Sequence, residues 1–243
     1  MMTTGTALSA LLAAMFVMAP QNAADFSKRP EVNSVRKYAT TISIPGDPNS
    51  GMPDVEVKMG STEKTVAVDA ETVTSETVVT AFDVLLGGQP LDPAMLGDAA
   101  EQMKKPAKMV YKHDGTLVKA EGGDSMMSDP RMARMMSRKI PTGTVEPGTV
   151  WEMEYPGDKA KGLESAKARW TYVGVETRAN RPAYRIDYVF AELDSSQGMS
   201  VTGTVWMNSK DMTLIEMIAE MQNVSFNPMM PPSAGKMVTK LVD

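Results

Sequence analysis

Four successive segments in the second half of the chain alternate apolar and polar residues with a period of two. That pattern limits the fold more than any other feature. "AKARWTYVG" sets Ala166, Ala168, Trp170 and Tyr172 against Lys167, Arg169 and Thr171. "AYRIDYVFAEL" sets Tyr184, Ile186, Tyr188 and Phe190 against Arg185 and Asp187. "MSVTGTVWM" sets Met199, Val201, Val205 and Met207 against Ser200, Thr202 and Thr204, and "LIEMIAEMQNV" sets Ile215, Met217, Ala219 and Met221 against Glu216, Glu220 and Gln222. Side chains point to opposite faces at successive positions of a strand, so each segment offers one dry face and one wet face. Antiparallel sheets with one solvated side have this signature, and "TRANRP" and "NSKD" supply turns between segments. The helix-forming Met, Glu and Ala of the last segment leave a helix there as the alternative.

The first half carries the same chemistry less regularly. "VRKYATTISI" places Tyr38, Thr40, Ile42 and Ile44 on one side. "VEVKMGS", "KTVAVDA" and "ETVTSETVVTAFDVLL" are rich in Val and Thr, whose branched β-carbons suit a pleated strand, and they read as two or three strands. "LDPAMLGDAAEQMKK" has Asp92 before Pro93, an N-cap and first-turn proline, and predicts a short helix over about 93–104. "KMVYKHDGTLVKAEG" reads as a hairpin turning at "HDG". "NPMMPPSAG" is a Pro-rich loop, and "KMVTKLVD" is expected to close the chain as an edge strand. The fold class that follows is mainly β (α+β), an antiparallel sheet with short helices. "GTVW" occurs twice, at 148–151 and 203–206, but four common strand residues do not make a repeat. No low-complexity linker divides the chain, so residues 25–243 are expected to form a single domain.

Residues 7–18 are uncharged, too short to span a bilayer, and followed by Ala23 and Ala24, where a signal peptidase could cut. Residues 1–24 are therefore expected to be a signal peptide, and the mature protein is placed in the periplasm or outside the cell. A buried amino-terminal helix is the alternative. No second apolar run is long enough for a membrane span. The chain has no cysteine, so neither a disulfide nor a lipid anchor on a cysteine is available.

A net charge of −5 without a long basic run argues against a nucleic-acid partner. One histidine and no cysteine remove most nucleophile–base pairs; His113 sits in a turn where polar residues are common. "GGDS" and "LLGGQP" lack the strand–loop–helix setting of a phosphate site. No catalytic residue and no metal ligand is assigned, no cofactor is expected, and an enzyme is the least supported class.

"SMMSDPRMARMMSRKIP" (125–141) packs five methionines into Met126–Met136. Thioethers bind Cu(I), which makes copper handling one alternative. Against it, no His or Cys accompanies the group, and Arg131, Arg134 and Arg138 surround it. The chain also uses methionine 23 times. Met is unbranched and polarizable, so it fills irregular gaps in cores and adapts to variable partners.

"YKHDGTLVKAEG", "DPRMARMMSRKIP", "GTVEPGTVWEMEYP", "ARWTYVGVETRANRPAYRIDYVF" and "GTVWMNSKDMTLIEM", in that order over about 107–222, resemble exported bacterial proteins of unknown function. Those in turn are similar to the lipoprotein-carrier (Lol-type) incomplete barrel. The resemblance implies a curved antiparallel sheet or incomplete β-barrel with two short helices packed on its concave face, one of them the segment 129–141, with Met132, Met135 and Met136 inward, Asp129 as its cap, and Arg131, Arg134 and Arg138 in water. The expected function is an exported protein that binds an apolar ligand (a lipid or lipoprotein acyl chain) or an envelope partner. Its candidate surface is Met132, Met135, Met136, Trp170, Tyr172, Tyr184, Tyr188 and Phe190. A structural or accessory protein with a filled core and no ligand is the alternative from a different class.

Overall fold

The computed structural model describes residues 23–48, 51–92, 95, 98–122, 130–193, 198–224 and 232–242. The signal peptide expected at the amino terminus lies outside these residues except for its last two positions. Met126, Met127, the Asp129 cap and most of the Pro-rich loop also lie outside them.

Strands in the first half are β1 (Ala24–Asp25), β2 (Val35–Ile44), β3 (Val55–Val68), β4 (Thr72–Leu86), β5 (Gln89–Pro90), β6 (Ala107–Lys112) and β7 (Leu117–Glu121). Those in the second are β8 (Thr144–Val145), β9 (Val150–Tyr155), β10 (Ala166–Arg178), β11 (Arg181–Glu192), β12 (Ser200–Asn208), β13 (Leu214–Val224) and β14 (Ser233–Val242). Helix α1 is Asp98–Met103 and helix α2 is Pro130–Met136. The described helical residues at 95 and 98–103 fall within the helix expected over 93–104. The three strand-like stretches between 55 and 86 resolve into two long strands. A register shift at Gly60/Ser61 lies within β3.

One antiparallel sheet runs β7-β6-β4-β3-β2-β14-β13-β12-β11-β10-β9, with β5 added beside β4 and a separate β1–β8 pair. It consists of two meanders, joined where the early strand β2 pairs with the last described strand, from Lys236↔Ser43 to Val242↔Lys37. The expected edge strand β14 is therefore central. Its alternating lysines mark the wet face rather than an exposed edge. Lys240 and Lys236 stand opposite Glu216 and Glu220 of β13, with ion-pair distances of 3.6 and 3.0 Å. The segment 214–224 is strand, as its alternation predicted and against its helix propensity.

Register aligns the dry faces into continuous rows. One row runs Trp151, Trp170, Tyr188, Gly203, Ala219, Met237, Ile42, Val57, Val84 across nine strands. Gly203 is needed there: a Cβ would lie 2.5 Å from both the Ile218 carbonyl oxygen and Cε1 of Tyr188, whose ring covers it. Register shifts at Gly60/Ser61, Thr65/Ala67, Tyr172/Gly174, Trp206/Met207 and Met221/Val224 mark bulges, which sharpen twist and bend the sheet.

Two hydrogen bonds show how far the sheet curls. The Ile140 N–H donates to the Asp114 carbonyl at the β6–β7 turn (2.6 Å), while the Trp151 indole on β9 donates to the Lys139 carbonyl. Neighbouring residues of one segment thus touch opposite ends of the sheet path. The strap 137–141 bridges the gap of an incomplete barrel. Gly115 makes its passage possible, with φ at 85° and no room for a Cβ, which would sit 2.0 Å from the Arg138 carbonyl oxygen. At the amino-terminal end, β1 pairs with β8 and Phe26 is fully buried, edge-on to Tyr172 at 5.4 Å.

Candidate functional site

The inner face of the curled sheet is the candidate site, and its two halves differ. Across β10–β13 it is packed solid. Trp170, Tyr172, Tyr184, Tyr188 and Phe190 are all buried and belong to one cluster with Met132, Met135, Met199, Met217, Met221 and Phe26. Met136 is half-buried and packs against that cluster. All eight residues predicted as a binding surface therefore come together, with α2 lying over the sheet and Met132 and Met135, three apart, facing down.

The arginines of this region do not share one environment. Arg131 makes a bidentate pair with Glu192 at 2.7 and 2.5 Å, and Glu192 also accepts the Met199 N–H at 2.7 Å. Burial pushes the Glu192 carboxyl up, but these bonds together with the charges of Arg131 and Arg134 bring it below its ordinary value. Arg134 donates to the carbonyls of Glu164 (3.0 Å) and Pro156 (2.9 Å) and lies over the Tyr155 ring. Arg138 turns inward: its Nη1 donates to the thioether of Met207, an inner-row residue paired with Tyr184, at 3.3 Å. The expectation that all three face water is corrected. The helix ends at Met136, so the strap and not helical periodicity aims Arg138.

Across the middle of β3 and the last third of β4 the inner face is less covered. Val57, Met59, Phe82 and Val84 point inward by register yet are only half-buried, Val57 and Val84 packing against the edge of the same cluster. Polar groups line the adjoining level. Thr40 and Thr239, facing each other across β2 and β14, share a buried hydrogen bond of 3.0 Å. Arg36 pairs with Glu63 at 2.9 Å and donates to the buried Thr65 hydroxyl at 2.7 Å. Tyr38 donates to the Leu214 carbonyl at 3.3 Å, and Tyr111 donates to the Met109 thioether at 2.9 Å.

Burial raises the phenols of this region. Tyr111 is pushed up to about 12 and Tyr172 to about 12, while Tyr38 and Tyr188 go higher still. The Arg138 charge pulls against this rise at Tyr38, Tyr111 and Tyr188, which places the guanidinium within electrostatic reach of all three hydroxyls. The phenols are protonated donors at any physiological pH.

Two depressions open on the surface. One, about 520 Å³, lies at the ends of β2, β3, β13 and β14 beside Ile44, Val55 and Gly235. The other, about 340 Å³, lies at the opposite end of β2 and β14 and includes Arg36, Arg181 and Asp211. None of the eight predicted residues lines either one. Trp206 sits on the outer face under the Arg178 guanidinium, 4.3 Å away, with Ile215 and Ala183. The bulge at Trp206/Met207 takes Ile215 out of the inner row. Among the described residues no three His, Asp or Glu side chains group as metal ligands, and no helix is long and apolar enough to cross a membrane.

No family model matches the chain, and no curated protein matches it. Solved structures overlap it loosely. One, from Bacteroides fragilis, is described as an exported protein with a YmcC-like fold; it is 11% identical, covers 89% of this chain and 100% of its own, and has a TM-score of 0.33. Another, from Parabacteroides distasonis, is described as a lipoprotein; it is 9% identical, with 91% and 98% coverage and a TM-score of 0.35. At that overlap neither argues for a function, and the lipoprotein-carrier likeness read from the sequence stays a resemblance.

Proposed function

We propose that the chain is an exported envelope protein that holds an apolar ligand, an acyl chain, against the less covered half of its concave face. One observation carries the reading. Inward-facing apolar residues on β10–β13 are buried, whereas Val57, Met59, Phe82 and Val84, inward by register on β3 and β4, are only half-buried at the edge of the same cluster. Apolar area left half-covered beside a methionine-rich wall suits a flexible chain, because thioethers repack around variable shapes at low cost. Export is supported by the uncharged stretch at 7–18 followed by small residues.

Titration with a fluorescent fatty-acid analogue tests the binding. The expected result is saturable uptake, weakened at least tenfold by Phe82→Glu with β-sheet circular dichroism retained. Absence of uptake, with no lipid in solvent extracts of the purified protein by mass spectrometry, overturns it. That outcome would favour the second reading, an accessory protein with a filled core, which the packing of all eight predicted residues supports. Amino-terminal sequencing of the protein recovered from a bacterial periplasm tests export; an uncut chain retained in the cytoplasm would sink that part.

A further inference from the structure

Arg138 and its neighbours form a group of hydrogen-bond donors without an adequate acceptor. Among the described residues its guanidinium hydrogen-bonds to the sulfur of Met207. Tyr111 likewise spends its hydroxyl on the sulfur of Met109. Thioethers are among the weakest acceptors a protein has. Tyr188, buried across the row from Gly203, makes no hydrogen bond through its hydroxyl to any described residue. Glu63 is the carboxylate whose charge reaches Tyr38 and Tyr111, and it is committed to Arg36 at 2.9 Å. One cationic charge on the inner side of the strap is therefore left without an anion among the described residues. A guanidinium half-removed from water is costly unless an anion accompanies it, and its planar fork fits a carboxylate or phosphate oxygen pair.

The position of this charge matters as much as its being unpaired. The strap carrying Arg138 is fixed at the two residues that follow it, Lys139 to the Trp151 indole and Ile140 to the Asp114 carbonyl, and the Arg138 guanidinium reaches inward to Met207, which lies in the register row of Leu214. Met59 and Phe82 share the register row of Thr40 and Thr239, next to the level of Tyr38 and Ser61. A polar, cation-bearing level thus adjoins a half-open apolar one.

We propose that Arg138 docks the anionic head of a single-chain amphiphile, with Tyr111 and Tyr188 as further donors and the tail along Met59 and Phe82. This rests on the apolar-ligand reading above and names the class of ligand. A carboxylate head and a phosphate head meet the same donors.

Calorimetric titration of the full chain with dodecanoate, dodecyl phosphate, dodecanol and dodecyltrimethylammonium, all below their micellar concentrations, tests it. The expected result is that at least one anionic amphiphile binds about tenfold or more tighter than dodecanol, as a charge-assisted hydrogen bond warrants. The better of the two anions identifies the head. Arg138→Met should bring the anion down to the affinity of dodecanol and leave dodecanol itself unchanged, Arg138→Lys should keep part of the preference, and Tyr188→Phe should lose a few-fold. Equal binding of anion and alcohol by the unaltered protein overturns this inference and leaves the apolar site standing; it needs no variant to fold. A preference that survives Arg138→Met overturns it too. Failure of every amphiphile to bind removes the apolar-ligand reading as well.

Discussion

Glu192 and Gly203 show how single positions hold the inner face together. Glu192 is almost fully buried and joins α2, through Arg131, to the end of β11 and to the chain entering β12. Glu192→Gln keeps the shape but removes the charge from two strong hydrogen bonds, and should cost about 2 kcal/mol in urea unfolding at pH 7. The folded carboxyl titrates below its ordinary value, so its contribution is complete above the ordinary Glu range near 4.3 and is lost as pH falls through the lower folded value. The gap between the unaltered protein and Glu192→Gln should accordingly shrink on acidification below pH ~4; a gap independent of pH would refute the role. At Gly203, an added methyl meets a backbone carbonyl and the Tyr188 ring. Gly203→Ala should destabilise by about 1–3 kcal/mol, the usual cost of overpacking, read as a lower thermal midpoint. Much at this scale was legible. Period-two alternation assigns the inward side for Trp170, Tyr172, Tyr184, Tyr188 and Phe190, because strand geometry leaves no other choice. Arg138 was not legible: its spacing from Arg131 and Arg134 looks like a helix's wet side, and only the end of the helix at Met136 and the route of the strap turn it inward.

Helix α2 illustrates what an element contributes beyond its own sequence. Seven residues are too few to be helical alone, since nucleation is costly and isolated short helices are marginal in water. Its stability comes from the sheet beneath: Met132 and Met135 are buried against the aromatic cluster, and Arg131 and Arg134 pin its polar side. Met135→Ala should cost about 2–5 kcal/mol, as burial lost plus a cavity, whereas Met136→Ala, half-buried, should cost roughly half as much. Equal effects in chemical denaturation would show that α2 does not seat as described. Strand β14 was the element hardest to read. Lysines at Lys236 and Lys240 suggest an exposed edge, but each has a glutamate opposite on β13. Pairing between strands distant in sequence leaves no local trace, so a central strand and an edge strand with the same charge spacing look alike.

At the scale of the whole molecule, the join between β2 and β14 governs how the sheet closes. Every neighbour along the two meanders is near in sequence, but this one pairing spans almost the full described chain, from Lys37 to Val242. Until β14 is in place, β2 and β13 each expose an unpaired edge, and the rows through Ile42 and Ala219 are cut in two. The strap adds a second long-range closure by joining the β6–β7 turn to β9. Non-local pairings must meet their loop-closure entropy before they return any contact energy, so such a topology folds slowly and late. Ending the chain after residue 232 should therefore do more than remove ten residues of strand. It should split the sheet into two halves that no longer share a core row, replacing one cooperative urea transition with a broad or two-step one and exposing inner-face surface to a hydrophobic dye. A shortened chain that still unfolds in a single sharp transition would mean that either meander is a self-sufficient unit and that the β2–β14 seam is an accessory to the fold.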